Sequence, residues 1–325
     1  MKRPTPARMQ RRGRAHSQKN GHRSGKVAEE QIKESLKELA VTKLGYLIPT
    51  RERIMTGKHE TTTLIEQGQR ARALGFDSLW VGDSLFARPR HDPLTLLAGL
   101  ATAVPDVELG TAVLLAALRN PIILAQQLAT IDQLAEGRLI VGVGIGADTP
   151  TIHAEFAAAG VPFERRVGRL VESMQLCKAL WQGEPVSWNG RWQLSDVTIG
   201  PEPHRPGGPP IWYASSVDAG VKRAAAYFDG WFPIGPDAET IERQHRLLDD
   251  GTTTAVYVTL CIHDDADEAN RLIDDYMVDY YKVPAKVMRR MQAICIGDAD
   301  AVMTSLKSLV DAGADHLARI LHERS

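Results

Sequence analysis

The feature that most constrains the fold is a unit that repeats over residues 43–321: a short apolar segment, a turn and an amphipathic helix. The apolar segments are residues 43–48, 78–82, 107–113, 138–144, 210–214, 230–234, 255–262 and 316–321. Each segment is nearly continuous in apolar residues, which is typical of parallel strands that are covered on both faces. The repeat therefore predicts an α/β protein built on a parallel sheet.

The number of units favours a closed barrel. An open doubly wound sheet would show the same alternation, but eight strand–helix units favour a (β/α)8 TIM barrel. Residues 148–209 interrupt the repeat with two helical patterns and a Trp/Gly-rich segment, VSWNGRWQL, that is typical of a hairpin. The sequence therefore predicts an insertion between strands four and five.

The charge is unevenly distributed along the chain. Residues 1–26 contain nine Lys and Arg residues and no Asp or Glu, whereas the whole chain has a formal net charge of −1. This tail has almost no apolar residues, so it cannot bury enough surface to order itself. We therefore expect residues 1–40 to be a basic, disordered extension with a short helical lead-in, ahead of one domain at 41–325. A nucleic-acid-binding arm is the less favoured alternative.

The sequence gives no indication of export, a membrane span or a metal site. The Arg11-Arg12 pair resembles a twin-arginine signal, but no hydrophobic stretch follows it. No apolar run approaches the roughly 18 residues of a membrane span. Cys177, Cys261 and Cys295 are scattered, and neither they nor the histidines show metal-ligand spacing. We therefore expect a cytoplasmic protein with reduced core thiols and no metal.

Three stretches together carry a family resemblance. Residues 79–86 are LWVGDSLF, residues 109–113 are LGTAV, and residues 120–146 run through the third helix and the fourth strand. They resemble the bacterial luciferase-like monooxygenase family, which includes flavin monooxygenases and deazaflavin (coenzyme F-420, here F420) oxidoreductases. The similarity extends over residues 43–320 and leaves only the N-terminal tail outside.

The resemblance implies an oxidoreductase that binds reduced FMN or F420 at the C-terminal ends of the barrel strands. Such an enzyme would oxygenate a small organic substrate with reduced FMN and O₂, or transfer a hydride with F420. The resemblance also implies a homodimer and, for an FMN enzyme, a separate flavin reductase as partner. An NADP-dependent dehydrogenase and a catalytically silent flavin-binding protein remain the alternatives.

Asp83 and Ser84 are the predicted catalytic residues, because they follow the second strand, where barrel enzymes carry their chemistry. In the family, the position that aligns with Ser84 often carries a histidine that touches the cofactor ring. A serine hydroxyl can donate a hydrogen bond but cannot act as a base near neutral pH. Asp83 has the alternative role of a turn residue or helix cap.

Two further strand ends are predicted to bind the cofactor. The resemblance implies a non-proline cis peptide beside the cofactor ring, which we place at Thr111–Ala112; an ordinary packed strand is the alternative. Ser215, Ser216 and Gly220 follow the fifth strand at the start of a helix, where hydroxyl and backbone N–H groups favour a phosphate. Alternatively, one of these serines simply caps the helix.

Residues 142–147 match the pattern G-x-G-x-x-G/A of dinucleotide-binding loops. Residues 148–150 interrupt the expected helix entry, and the acid expected at a second strand end is missing. We therefore expect Gly144 and Gly146 to let the cofactor ring approach the fourth strand closely. Some F420-dependent relatives have a glutamate near Ala147 with a role in proton transfer; it is absent here, and the neighbouring Asp148 is a weak substitute.

Overall fold

The computed structural model describes residues 42–235 and 237–321, so the predicted extension at 1–40 lies outside the described residues. The strands are β1 (Lys43–Leu47), β2 (Ser78–Val81), β3 (Glu108–Thr111), β4 (Leu139–Val143), β5 (Val186–Asn189), β6 (Gln193–Val197), β7 (Ile211–Tyr213), β8 (Gly230–Trp231), β9 (Thr253–Ile262), β10 (Ala293–Gly297) and β11 (His316–Leu321). Eight of them form a closed parallel barrel, in the order β1-β2-β3-β4-β7-β8-β9-β11. The predicted (β/α)8 TIM barrel is confirmed.

The pairing of β1 with β11 closes the circle. β1 pairs with β2 at Gly45 and Ser78, and with β11 at Lys43 and His316. Counted around the circle in either direction, β1 and β7 are four strands apart. Residues that follow β1 and residues that follow β7 therefore lie on opposite sides of the barrel.

Helices alternate with the strands. They are α1 (Thr50–Met55), α2 (Thr62–Ala73), α3 (Pro93–Ala103), α4 (Pro121–Leu134), α5 (Pro150–Ala158), α6 (Arg166–Leu180), α7 (Asp218–Tyr227), α8 (Ala238–His245), α9 (Ala266–Tyr281), α10 (Ala285–Met288) and α11 (Ala299–Asp311). α4 begins at Pro121, because the Asn120 side chain accepts a hydrogen bond from the Ile122 N–H and Pro121 suits the first turn. Over the described ranges, no helix has the length and apolar character needed to cross a membrane.

The predicted insertion between barrel strands four and five is confirmed. β4 is followed by α5, a 3₁₀ turn at Phe163–Arg165, α6 and the antiparallel hairpin β5–β6. The hairpin contains the VSWNGRWQL segment, with Trp188 opposite Leu194. α6 lies against α4 and so covers the outside of the barrel between β4 and β7.

A second excursion follows β9 and was only partly predicted. α9, α10 and β10 lie between β9 and α11, the helix that precedes β11. β10 pairs with the second half of β9, from Val258 to Ile262, beyond the residues of β9 that pair with β8. The sequence patterns indicated α9 as an ordinary barrel helix and missed β10.

The barrel interior is filled by aromatic side chains. The rings of Trp80, Trp212, Phe232 and His316 contact one another, with centroids 5.2 to 6.2 Å apart. Gly110 makes room for this packing, since a Cβ there would collide with the Trp80 ring. The result is a packed interior, which leaves ligand binding to the strand ends.

His316 is the titratable group of this interior. It is 2% exposed, and its Nε2 lies 2.7 Å from the Ser78 hydroxyl, which also accepts a hydrogen bond from the Trp80 indole. Burial, with a smaller contribution from Lys43, lowers the pKa of His316 to about 3. The imidazole is therefore neutral near neutral pH.

The cysteines are free and buried, as predicted. Burial raises the pKa of Cys295 to about 12, so this thiol stays protonated. Among residues 42–235 and 237–321, no group of three or more His, Cys, Asp or Glu side chains is arranged to hold a metal ion.

Candidate active site

The C-terminal ends of the barrel strands open into a mouth, over which α1 and α9 meet. α1 follows β1 directly, and α9 follows β9. Tyr276 and Tyr280 of α9 belong to the same buried cluster as Leu47 and Trp80 of the barrel strands. Two excursions from different strands therefore place side chains above the barrel interior, where enzymes of this fold carry their chemistry.

A polar cluster occupies this mouth. The Tyr276 hydroxyl donates a hydrogen bond to Glu52 of α1 at 3.2 Å, and Arg90 donates to the Tyr280 hydroxyl at 3.1 Å. Arg90 lies against the end of β2, since a Cβ on Gly82 would collide with its guanidinium group. The absence of a side chain at position 82 therefore lets an arginine from the following loop fold back into the mouth.

Burial sets the protonation states of the cluster. It raises the pKa of Glu52, although Arg90 and the Tyr276 hydrogen bond act in the opposite direction. It also raises the pKa of Tyr257 and of Tyr276 well above the usual value for tyrosine. Burial by itself would lower the pKa of Arg90, but Tyr280, Tyr257 and Glu52 outweigh it and the pKa is raised. Burial therefore favours the protonated form of the Glu52 carboxyl group, which can then donate a proton to a ligand.

Asp83, a predicted catalytic residue, is buried beside the loop that follows β3. Its carboxylate accepts a hydrogen bond from the Leu115 N–H at 2.9 Å and pairs with Arg119 at 2.5 Å. Its side chain is 3% exposed. Asp83 thus joins the loops that follow β2 and β3, and contact with a ligand stays a prediction.

Ser84, the other predicted catalytic residue, is held by a glutamate that the sequence did not single out. Its hydroxyl donates to Glu155 of α5 at 2.6 Å. The same carboxylate oxygen accepts hydrogen bonds from the N–H groups of Phe86 and Ala87, each at 2.8 Å. Glu155 is fully buried, and its second oxygen has no hydrogen-bond partner. Glu155 therefore fixes the loop after β2, and Ser84 would have to leave this bond to donate to a ligand.

The predicted non-proline cis peptide is present, but one residue further along. It joins Ala112 to Val113, so its placement at Thr111–Ala112 was wrong. The reason is that Ala112 still pairs with the sheet, since its N–H donates to the Val81 carbonyl. The Thr111 hydroxyl is also used internally, donating to the Gly142 carbonyl at 2.7 Å. Contact of Thr111 or Ala112 with a cofactor stays a prediction.

Gly144 and Gly146 lie at and just after the end of β4. A Cβ on Gly144 would collide with Val113, and Gly146 has a φ of +74° and faces Ile152. Packing and backbone conformation thus explain both glycines, and cofactor contact stays a prediction. Between β4 and the next parallel strand, β7, the chain forms α5, α6 and the β5–β6 hairpin instead of a single crossover helix, so the context of a dinucleotide loop is missing.

Ser215, Ser216 and Gly220 lie together after β7, on the side of the barrel opposite α1. The N-cap of α7 is Val217, without a side-chain cap, so the alternative that a serine caps this helix is wrong. The Ser215 hydroxyl accepts a hydrogen bond from the Val217 N–H at 3.3 Å, and a Cβ on Gly220 would overlap that hydroxyl. Hydroxyl groups therefore stand beside an uncapped helix N-terminus, a combination that suits an anion.

Comparison with known proteins identifies the family of this chain. Residues 42–316 match the family described as luciferase-like monooxygenase. The chain belongs to this family. It is therefore an enzyme of the luciferase-like oxidoreductase and monooxygenase type, as the resemblance implied.

Two curated relatives of this luciferase-like protein are a dehydrogenase and a ketoreductase. The F420-dependent glucose-6-phosphate dehydrogenase of Amycolatopsis mediterranei (strain U-32) is 30% identical over 301 residues, 78% of this chain and 86% of the relative. The phthiodiolone/phenolphthiodiolone dimycocerosates ketoreductase of Mycobacterium tuberculosis (strain ATCC 25618 / H37Rv) is 31% identical over 190 residues. That match covers 50% of this chain and 49% of the ketoreductase.

Solved structures share the fold of the luciferase-like chain. An F420-dependent secondary alcohol dehydrogenase in complex with an F420–acetone adduct has a TM-score of 0.70 at 21% identity, covering 86% of this chain and 93% of that chain. The FMN complex of the oxygenating constituent of 3,6-diketocamphane monooxygenase, from Pseudomonas putida, has a TM-score of 0.69 at 19% identity, covering 87% and 92%. At these identities the likeness supports the barrel alone.

The sequence patterns missed Glu52, Arg90 and the tyrosines of α9 as site residues of this luciferase-like enzyme. Glu52 and Arg90 follow the first two strands, so their positions alone could have marked them. Tyr276 and Tyr280 are four residues apart and share one helix face. No local pattern indicates that this face turns over the mouth.

Proposed function

We propose that this luciferase-like enzyme transfers a hydride between F420 and a small carbonyl or alcohol substrate, with Glu52 as the proton carrier. The observation that carries the proposal is the half-buried Glu52 carboxyl group at the barrel mouth, whose pKa is raised by burial. A carbonyl group that takes up a hydride also takes up a proton on its oxygen, and a carboxyl group with a raised pKa is suited to supply it. Similarity to an F420-dependent dehydrogenase over most of both chains supports F420 as cofactor.

The loop after β7 fits the phosphate that F420 carries. The Ser215 and Ser216 hydroxyls and the uncapped first turn of α7 would hold this group. Asp218 lies in the same turn, but its negative charge repels a phosphate only weakly because it forms an ion pair with Arg243 at 3.0 Å. The same donors also suit FMN, which has a phosphate on its ribityl chain. When bound, F420 supplies or accepts the hydride.

The chain's own residues orient the substrate, handle the proton and exclude water. Tyr276 donates to Glu52 and so fixes the direction of the carboxyl group in the mouth. α9 covers the barrel interior next to Glu52 and limits the access of water. The other proposed site residues around the mouth are Asp83, Ser84, Thr111, Ala112, Gly144, Gly146 and Gly220.

The first experiment is a fluorescence titration of the purified protein with F420 and, separately, with FMN, each oxidised and reduced. We expect F420 to bind and FMN to bind much more weakly. Preference for reduced FMN, with oxygen uptake in the presence of substrates, would instead support a two-component monooxygenase and a flavin reductase partner. Binding of NADP alone would contradict both assignments.

The second experiment tests Glu52 itself. Glu52→Gln should bind F420 as the wild type does but lower turnover of carbonyl substrates by roughly 10²-fold and remove one limb of the pH–rate profile. Glu60→Gln is the matched control, because the Glu60 side chain is 70% exposed and forms an ion pair with Arg53. Wild-type turnover and an unchanged pH profile in Glu52→Gln would contradict the assignment.

The assembly and location of the enzyme also remain proposals. We propose a cytoplasmic homodimer that acts on a small molecule. Size-exclusion chromatography with light scattering tests the dimer, and a monomer at micromolar concentration would contradict it.

A further inference from the structure

Arg51 carries buried hydrogen-bond donors that the protein does not use. The residue is 5% exposed, and its Nε and Nη1 atoms are buried without a hydrogen-bond partner. Its guanidinium carbon lies 4.9 Å from the centroid of the Tyr280 ring, so the guanidinium group packs on the ring face. The Nε and Nη1 atoms remain without an acceptor. Leaving charged donors unsatisfied in a buried position is costly, and such groups are characteristic of ligand sites.

Two more arginines surround Arg51. The guanidinium group of Arg88 lies 4.8 Å from the centroid of the Tyr281 ring, and Arg90 donates to the Tyr280 hydroxyl. The pKa of Arg51 is lowered, by burial first and then by the positive charges of Arg90 and Arg88, against which Tyr280 acts. Glu52 is the acidic side chain that acts on both Arg51 and Arg90. Around Arg51, three guanidinium groups thus act together with one carboxyl group, a combination that favours an anionic ligand.

We infer that Arg51, supported by Arg88 and Arg90, binds a carboxylate or phosphate group of the substrate. The inference rests on the proposed function and deepens it, since it makes the substrate an anionic carbonyl or alcohol compound. Arginine is suited to this task because it stays charged and donates to the oxygens of carboxylates and phosphates in charge-assisted hydrogen bonds. The neighbouring Glu52 would then face the reacting oxygen while Arg51 holds the anionic end.

The cofactor phosphate is the other anion that these arginines could meet. The proposed phosphate position at Ser215 follows β7, whereas Arg51 follows β1, on the opposite side of the barrel. A cofactor anchored at Ser215 leaves Arg51 for a second anion. The two sources can be separated experimentally. If Arg51 held the cofactor phosphate, its variants would bind the phosphorylated cofactor more weakly than the wild type does and bind the cofactor without its phosphate equally well. If Arg51 holds a substrate anion, its variants should bind both forms of the cofactor as the wild type does.

The test uses the enzyme saturated with its cofactor, so that the phosphate position beside α7 is already filled. Inorganic phosphate is titrated at constant ionic strength, and the absorbance and fluorescence of the bound cofactor are followed together with the thermal midpoint. The variants are Arg51→Gln, Arg51→Lys and, as a matched control with the same loss of charge, Arg246→Gln at the C-cap of α8. Arg246 is 71% exposed and pairs with Glu242, outside the mouth.

We expect saturable phosphate binding in the wild type and in Arg246→Gln, and an affinity at least roughly tenfold weaker in Arg51→Gln. Arg51→Lys should recover part of the affinity. Equal binding in all variants, or none in the wild type, would overturn the inference. The inference would also be overturned if Arg51→Gln weakened binding of the phosphorylated cofactor but not of the cofactor without its phosphate.

The outcome also separates this inference from the proposed function. If neither F420 nor FMN binds but phosphate binding depends on Arg51 in the cofactor-free protein, the proposed function fails and the anion site stands. If F420 binds and anionic carbonyl compounds react no better than their neutral analogues, the substrate inference fails and the hydride-transfer proposal stands.

Discussion

Stability at mildly acidic pH should depend on one histidine inside the barrel. His316 is packed between Trp80 and Trp212, and its pKa is lowered from 6.5 to about 3. In the unfolded chain the imidazole takes up a proton below pH 6.5, whereas in the folded barrel it does so only near pH 3. The folded state therefore loses stability relative to the unfolded state as the pH falls through this window.

The size of the effect follows from the two pKa values. Between pH 7 and pH 5, the free energy of unfolding should fall by about 2 kcal/mol because of His316 alone. His316→Gln removes the titration and keeps an amide that can reach the Ser78 hydroxyl. The variant will be less stable at pH 7, since it loses the ring packing, but its stability should depend less on pH.

The assay is urea unfolding followed by tryptophan fluorescence at pH 7, 6 and 5, for the wild type and His316→Gln. We expect the difference between the two proteins to shrink by about 2 kcal/mol from pH 7 to pH 5. His245→Gln is a useful control, because that histidine is half-buried and outside the barrel interior. A constant difference between the wild type and His316→Gln would refute the assignment of a neutral, buried imidazole.

Three further substitutions test the packing and the loops. Glu155→Ala removes the acceptor of one hydroxyl and two backbone N–H groups and should lower the free energy of unfolding by about 3 kcal/mol in urea titrations. Unchanged stability would mean that the loop finds other partners. Gly110→Ala should cost at least about 2 kcal/mol, because its Cβ collides with the ring of Trp80, and a neutral result would contradict the tight packing there. Ser215→Ala should weaken binding of the phosphorylated cofactor roughly tenfold and leave its dephosphorylated form unaffected, as measured by fluorescence titration.

The barrel could be predicted because each part of it is encoded locally. Each strand of β1 to β4 is a short apolar run, and α4 has both its cap and its apolar face in consecutive residues. The insertion was predicted for the same reason, since the strand–helix repeat stops at residue 148 and resumes at 210. β10 is itself a short apolar run, but it was missed because it lies inside an excursion and is not one of the eight strands of the barrel repeat.

The sequence by itself determined the fold class and the family, and it predicted a site at the strand ends. It did so because periodicity and motif matches depend on residues that are close together in the chain. The tertiary structure alone decided what meets over the mouth: Glu52 and Tyr276 are 224 positions apart in the sequence, and Arg90 and Tyr280 are 190 apart. It also decided that the Ser84 hydroxyl donates a hydrogen bond to Glu155 and that the Nε and Nη1 atoms of Arg51 have no hydrogen-bond partner. Such contacts depend on how α1, α5 and α9 fold back over the strands, which is a property of the closed barrel and its excursions and not of any local pattern.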